Sequence, residues 1–174
     1  MLRKINAVLS LLCTWLLLSH AGFHAIWMLS MGAIEKSASK LSFVFIGVMA
    51  LHAITSIILA VLTHKGAKCK GKGYASLNKQ TYIQRVSGIL LIPFTALHVL
   101  GAVGITNPPQ LVHAILPPLF FAFSLMHVAV SVSKAFITLG IGNAKAIKAI
   151  DIAVKMLCAV TLVADIVGFY LYVV

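Results

Sequence analysis

The hydrophobic positions fall into five long runs separated by short polar breaks, at roughly 5–33, 40–63, 81–104, 110–139 and 146–174. Each meets the ~20 residues that a helix needs to cross the hydrocarbon core of a bilayer. The breaks carry strong stop signals. His64 to Lys79 is lysine- and glycine-rich, Thr106-Asn107-Pro108-Pro109 breaks a helix, and Gly140-Ile141-Gly142-Asn143 ends one. The expected fold is all-α, with five transmembrane helices in one bundle and a single domain over residues 1–174. Arg3 and Lys4 followed by apolar Ile5 to Leu18 look like the start of a signal peptide. The apolar run continues through Trp27 and Met28 to about Ile34, so a retained first helix is expected.

Composition agrees with this class. Hydrophobic residues make up 61% and charged residues 10%, more apolar surface than a soluble domain can hide. Three acids (Glu35, Asp151, Asp165) stand against fourteen lysines and arginines, for a net charge of +11. That balance in a soluble protein would suggest nucleic acid. Here the cations cluster at run ends and in breaks, which points to membrane orientation, and no nucleic-acid partner is expected. With the N-terminus cytoplasmic, every Lys and Arg except Lys36 and Lys40 falls in or toward that side. The expectation is therefore a multi-pass protein of a bacterial inner (cytoplasmic) membrane, with its C-terminus outside. Lys134 and Lys155 fall within predicted helices, where their stems can snorkel to the inner surface. Cys13, Cys69 and Cys158 form no C-x-x-C, which argues against zinc or covalent haem attachment.

Against this apolar background, His20, His52, His98 and His127 stand one per run on the first four runs. An imidazole at membrane depth is costly unless paired or liganded. Counting 1.5 Å per residue from the inner ends puts His20 and His98 at ~22 and ~24 Å, and His52 and His127 both at ~17 Å. Two depth-matched pairs could each clamp a haem iron between two imidazoles, giving two haem b groups that pass electrons without an open iron position. The alternative for any one histidine is an interhelical hydrogen bond. His64 reads as a solvated loop residue, and His113 sits at the outer mouth of the fourth run. His24 lies one turn above His20 on the same face, as a substitute ligand, a propionate partner or part of a quinone pocket.

At the third run the residues meet a family pattern. Tyr82-Ile83-Gln84-Arg85-Val86-Ser87-Gly88, then nine residues, then His98, resembles the five-helix diheme cytochrome b subunit of succinate:quinone oxidoreductases, the succinate dehydrogenases and quinol:fumarate reductases. Ser10 before His20 looks like a weaker copy of that spacing. Leu51-His52-Ala53 resembles the second-helix ligand, and Pro117-Pro118 before His127 is similar to the fourth. The resemblance implies that His52 and His127 hold the haem nearer the cytoplasm and that His20 and His98 hold the distal one. It also implies a menaquinone or ubiquinone site, with an iron–sulfur subunit and a flavoprotein subunit on the cytoplasmic face. The chain departs from some members at Leu125, where they carry a glutamate.

Quinone chemistry couples electrons to protons and needs a titratable group. Glu35 and Asp165 are the candidate proton acceptors, against plain readings as a loop carboxylate and a helix–helix contact. Gln84, Arg85 and Ser87 are candidate cofactor contacts, with Arg85 a fixed cation for haem propionates. Lys134, two turns inward of His127, could reach a propionate too. The lysine-rich 64–79 break would dock the soluble subunits. Two other readings share parts of this pattern: a free-standing transmembrane b-type cytochrome or reductase, and a haem-free transporter or scaffold.

Overall fold

Five helices account for the computed structural model, which describes residues 1–30, 39–69, 79–102, 104–105 and 110–173. They are α1 (Leu2–Leu29), α2 (Ser39–Cys69), α3 (Lys79–Ala102), α4 (Gln110–Leu139) and α5 (Ala144–Val173). All five are long and apolar enough to cross a membrane, and the described chain is entirely helices and their connections. This is a multi-pass membrane fold.

Some ends differ from the hydropathy reading. α1 begins at Leu2 and closes at Leu29, short of residue 33. α2 continues through His64 to Cys69, so the start of the expected basic loop is helical backbone. A helix is set by backbone hydrogen bonding, which continues past the last apolar residue until something interrupts it.

The interruptions are visible where the chain turns. Gly140, at φ 74°, follows the last residue of α4. Its N–H bonds the Ile137 carbonyl at 3.1 Å, and Ile141 N–H bonds Phe136 at 3.1 Å. This is a Schellman closure, and the left-handed position is why glycine stands there. Beyond α3, Gly104 is also at φ 74°; its N–H bonds the Gly101 carbonyl at 3.1 Å and the Ile105 N–H bonds Leu100 at 3.0 Å. Asn143 then caps α5, its side-chain oxygen accepting from the Ala146 N–H at 2.9 Å.

Packing is uneven. Among the described residues, α1, α4 and α5 all touch one another, α2 packs only on α1, and α3 only on α4. The core sits in the three-helix unit, where Leu17, Leu125, Val128, Val132 and Cys158 form one buried cluster. No described residue of α2 is buried, and Ser87 is the only one on α3. Large side chains such as Trp15, Phe23, Ile89 and Val160 are exposed, as lipid-facing positions of a membrane bundle are.

Candidate functional site

α3 and α4 run antiparallel and share a polar seam. His127 Nδ1 lies 3.0 Å from Ser87 Oγ. The Ser87 hydroxyl also sits 2.7 Å from the Ile83 carbonyl, one helical turn back. A serine has one proton to give and two lone pairs to receive with. With its proton on the Ile83 carbonyl, it accepts from His127 Nδ1–H, and Nε2 keeps its lone pair. Such an outer partner fixes the tautomer and aim of a metal-binding imidazole. Gly88, next on α3, gives the ring room: a Cβ there would stand 3.1 Å from His127 Cε1.

His52, on α2, is half-buried. Its Nδ1 is enclosed without a hydrogen-bond partner. α2 and α4 make no packing contact among the described residues, so His52 and His127 stand on helices that do not touch.

α2 is tied to α1 at both ends. Thr55 Oγ1 donates to Asn6 Oδ1 at 2.7 Å, and Ser56 Oγ to the same oxygen at 3.0 Å. At the other end, Ser42 Oγ lies 3.5 Å from His20 Nδ1, and Phe45 sits beside the His20 ring at 6.3 Å. Asn6, Ser42 and Phe45 were not among the expected site residues. A lone asparagine inside the first apolar run was the one available signal for this tie.

His98, on α3, stacks on Phe120 of α4, with centroids 4.9 Å apart and planes at 17°. His20 engages α2 and His98 engages α4, while α1 and α3 make no packing contact among the described residues.

His24 belongs to a different group. Its Nδ1 is 3.9 Å from Asp165 Oδ1, too long for a direct hydrogen bond and suited to a bridging water. Phe121 and Trp27 flank its ring at 5.7 and 6.0 Å. Asp165 is 2% exposed, and neither of its carboxylate oxygens has a hydrogen-bond partner among the described residues.

Toward the Lys79 end of α3, Lys134 Nζ donates to Thr81 Oγ1 at 2.8 Å and Gln84 Oε1 at 3.0 Å. Gln80 Nε2 reaches the Val130 carbonyl at 3.3 Å. Arg85 is close enough for the two cations to repel. Glu35 lies outside the described residues, as do the 70–78 part of the basic break and the side chains of His64, Cys69 and His113.

Among the described residues, no three His, Cys, Asp or Glu side chains converge as a metal-ion cage. A haem would ask the protein for no such cage, only for imidazole ligands of the kind His52 and His127 could supply. His127, its Nδ1 held by Ser87, and His52, with a buried Nδ1 that has no hydrogen-bond partner, are each of a kind that could serve as such a ligand. No family model, curated protein or solved structure matches this chain.

Proposed function

We propose that this chain is the membrane-anchor cytochrome b subunit of a succinate:quinone oxidoreductase, either a succinate dehydrogenase or a fumarate reductase. The observation that carries the reading is His127. Its Nδ1 is engaged by Ser87 and its ring packs over Gly88. That is how a protein prepares an imidazole to ligate through Nε2. His52 and His127 would hold one haem b, and His20 and His98 the second. The haems supply one-electron carriers. The protein supplies orientation, an apolar surround and anchorage.

Lys134, already held by Thr81 and Gln84, and Arg85 beside it would face carboxylates of the nearer haem. The chain lies in the cytoplasmic membrane with its N-terminus inside, because the lysines and arginines gather on that side. The same face receives an iron–sulfur subunit and a flavoprotein subunit. Electrons pass between the iron–sulfur protein and menaquinone or ubiquinone in the bilayer, with Glu35 or Asp165 near the quinone as proton acceptor.

The test is a dithionite-reduced-minus-oxidised spectrum of the purified full chain, with pyridine-haemochrome quantification against protein. Two haem b per chain is the expected result. One would remove one histidine pair from the assignment, and none in folded protein would overturn it. Co-purification of the two soluble subunits separates this reading from a free-standing cytochrome.

A further inference from the structure

α1 carries two histidines one turn apart, His20 and His24, and they face different helices. His20 Nδ1 lies 3.5 Å from Ser42 Oγ, and its ring sits beside Phe45; both partners are on α2. His24 lies against α4, its ring centroid 5.7 Å from that of Phe121. His98 of α3 stacks on Phe120. His24 and His98 therefore meet consecutive residues of one helix.

That shared neighbour relates their depths more directly than counting from helix ends, which need not be level. α1 is antiparallel to α4, since His24 meets Phe121 while Leu17 and Val128 share a buried cluster. α3 is antiparallel to α4 as well, with His98 on Phe120 and Ser87 on His127. Side chains of α1 and α3 thus lean the same way along the bundle. One residue of α4 separates the two contacts, ~1.5 Å of rise. His20, four residues back along α1, is ~6 Å from the level of His24. Among the described residues α3 packs on α4 alone. A histidine of α1 that leans on α4 stands nearer His98 than one that leans on α2.

Behind His24 stands a carboxylate. Asp165 Oδ1 is 3.9 Å from His24 Nδ1. Asp165 is 2% exposed, and neither of its oxygens has a hydrogen-bond partner among the described residues. His24 Nδ1 is itself buried, yet 28% of the His24 side chain is uncovered. The ring turns Nδ1 to the carboxylate and keeps an open part elsewhere. A metal-binding imidazole commonly directs its second nitrogen to a carboxylate or a water, which sets its tautomer and raises its basicity. A lone carboxylate inside a membrane bundle is costly, and a cationic centre beyond the imidazole would offset that cost.

We propose that His24, oriented by Asp165, is the α1 ligand that pairs with His98 on the distal haem, in place of His20. The inference rests on the cytochrome reading and changes one residue of it. Nε2 of His24 is the ligating nitrogen, and Asp165 is a positioning residue that acts through Nδ1. His20 remains a tie between α1 and α2.

The experiment takes the full chain in detergent and combines pyridine-haemochrome counts with redox titration and electron paramagnetic resonance. The wild-type chain is expected to hold two haem b, and His20→Ala should keep both. His24→Ala should lose one, the same haem that His98→Ala loses. His24→Met offers a thioether in place of the imidazole. It should keep both haems, one of them with a raised midpoint potential and the near-infrared band of thioether-bound iron. Asp165→Asn should raise the potential of that same haem alone, because a negative charge behind its ligand has gone. A merely structural contact between α1 and α5 would lower stability and leave both potentials in place. Native spectra in His24→Met, or loss of a haem in folded His20→Ala, would overturn the assignment and return the place to His20. Unchanged potentials in Asp165→Asn would overturn the role of Asp165. No haem in the folded wild-type chain would overturn the cytochrome reading itself.

Discussion

The imidazole of His127 lies directly over the backbone of Gly88, so close that a Cβ at position 88 would stand 3.1 Å from His127 Cε1. The neighbouring Ser87 Oγ holds the same ring through Nδ1 at 3.0 Å. Two consecutive residues of α3 thus set both the distance and the rotation of one imidazole on α4.

Gly88→Ala would force that ring to give way by a few tenths of an ångström. Overpacking of this kind costs about 1–3 kcal/mol, and here the strain falls on a proposed ligand. The expected outcome is a displaced or weakened low-spin signal from the His52–His127 haem in electron paramagnetic resonance, with the other haem unchanged. An identical spectrum would show that the ring does not ligate.

Ser87→Ala removes the acceptor for His127 Nδ1–H and leaves a buried donor unpaired, at about 1–3 kcal/mol. Loss of an outer partner of a metal-bound histidine commonly weakens binding by ~10–100-fold. Haem retention during detergent dialysis should therefore fall in Ser87→Ala and recover in Ser87→Thr, which restores the hydroxyl.

Asn6→Ala breaks the tie between α1 and α2, since Asn6 Oδ1 receives both Thr55 and Ser56. Interhelical side-chain bonds in membranes are worth about 0.6 kcal/mol on average, up to ~1.7. Among the described residues α2 packs on no helix but α1, so the loss is concentrated there. Thermal unfolding in detergent should shift downward. A cysteine introduced at Ile57 should label faster in the Asn6→Ala background than in the native one.

Lys134→Met keeps the stem and removes the ammonium that donates to Thr81 and Gln84. Hydrogen bonds from a charged group contribute about 1.5–3 kcal/mol. Holding the ammonium at the helix seam offsets part of this through its lost hydration. A net loss near the low end is expected in denaturant unfolding. The midpoint potential of the nearer haem should also fall, because a cation beside it has been removed.

Hydropathy alone determined that this chain is a five-helix membrane protein, because the cost of unpaired backbone in hydrocarbon admits few other solutions for such long apolar runs. It also placed one histidine on each of the first four helices, since an imidazole stands out in an apolar run. Depth counting could bring His52 level with His127, because rise per residue is nearly constant along a helix. What it could not decide was lateral arrangement. Which helix lies beside which depends on packing between surfaces far apart in sequence. Only the tertiary structure put α1, α4 and α5 together and left α2 and α3 with one neighbour each. Only there do Ser87 and Gly88 become the seat of His127, when the local pattern had them preceding His98. Asp165 and His24 stood as separate candidates in the sequence. They meet because α1 and α5 pack side by side and parallel, although His24 and Asp165 stand 141 residues apart in sequence and Met28 and Gly168 stand 140 apart.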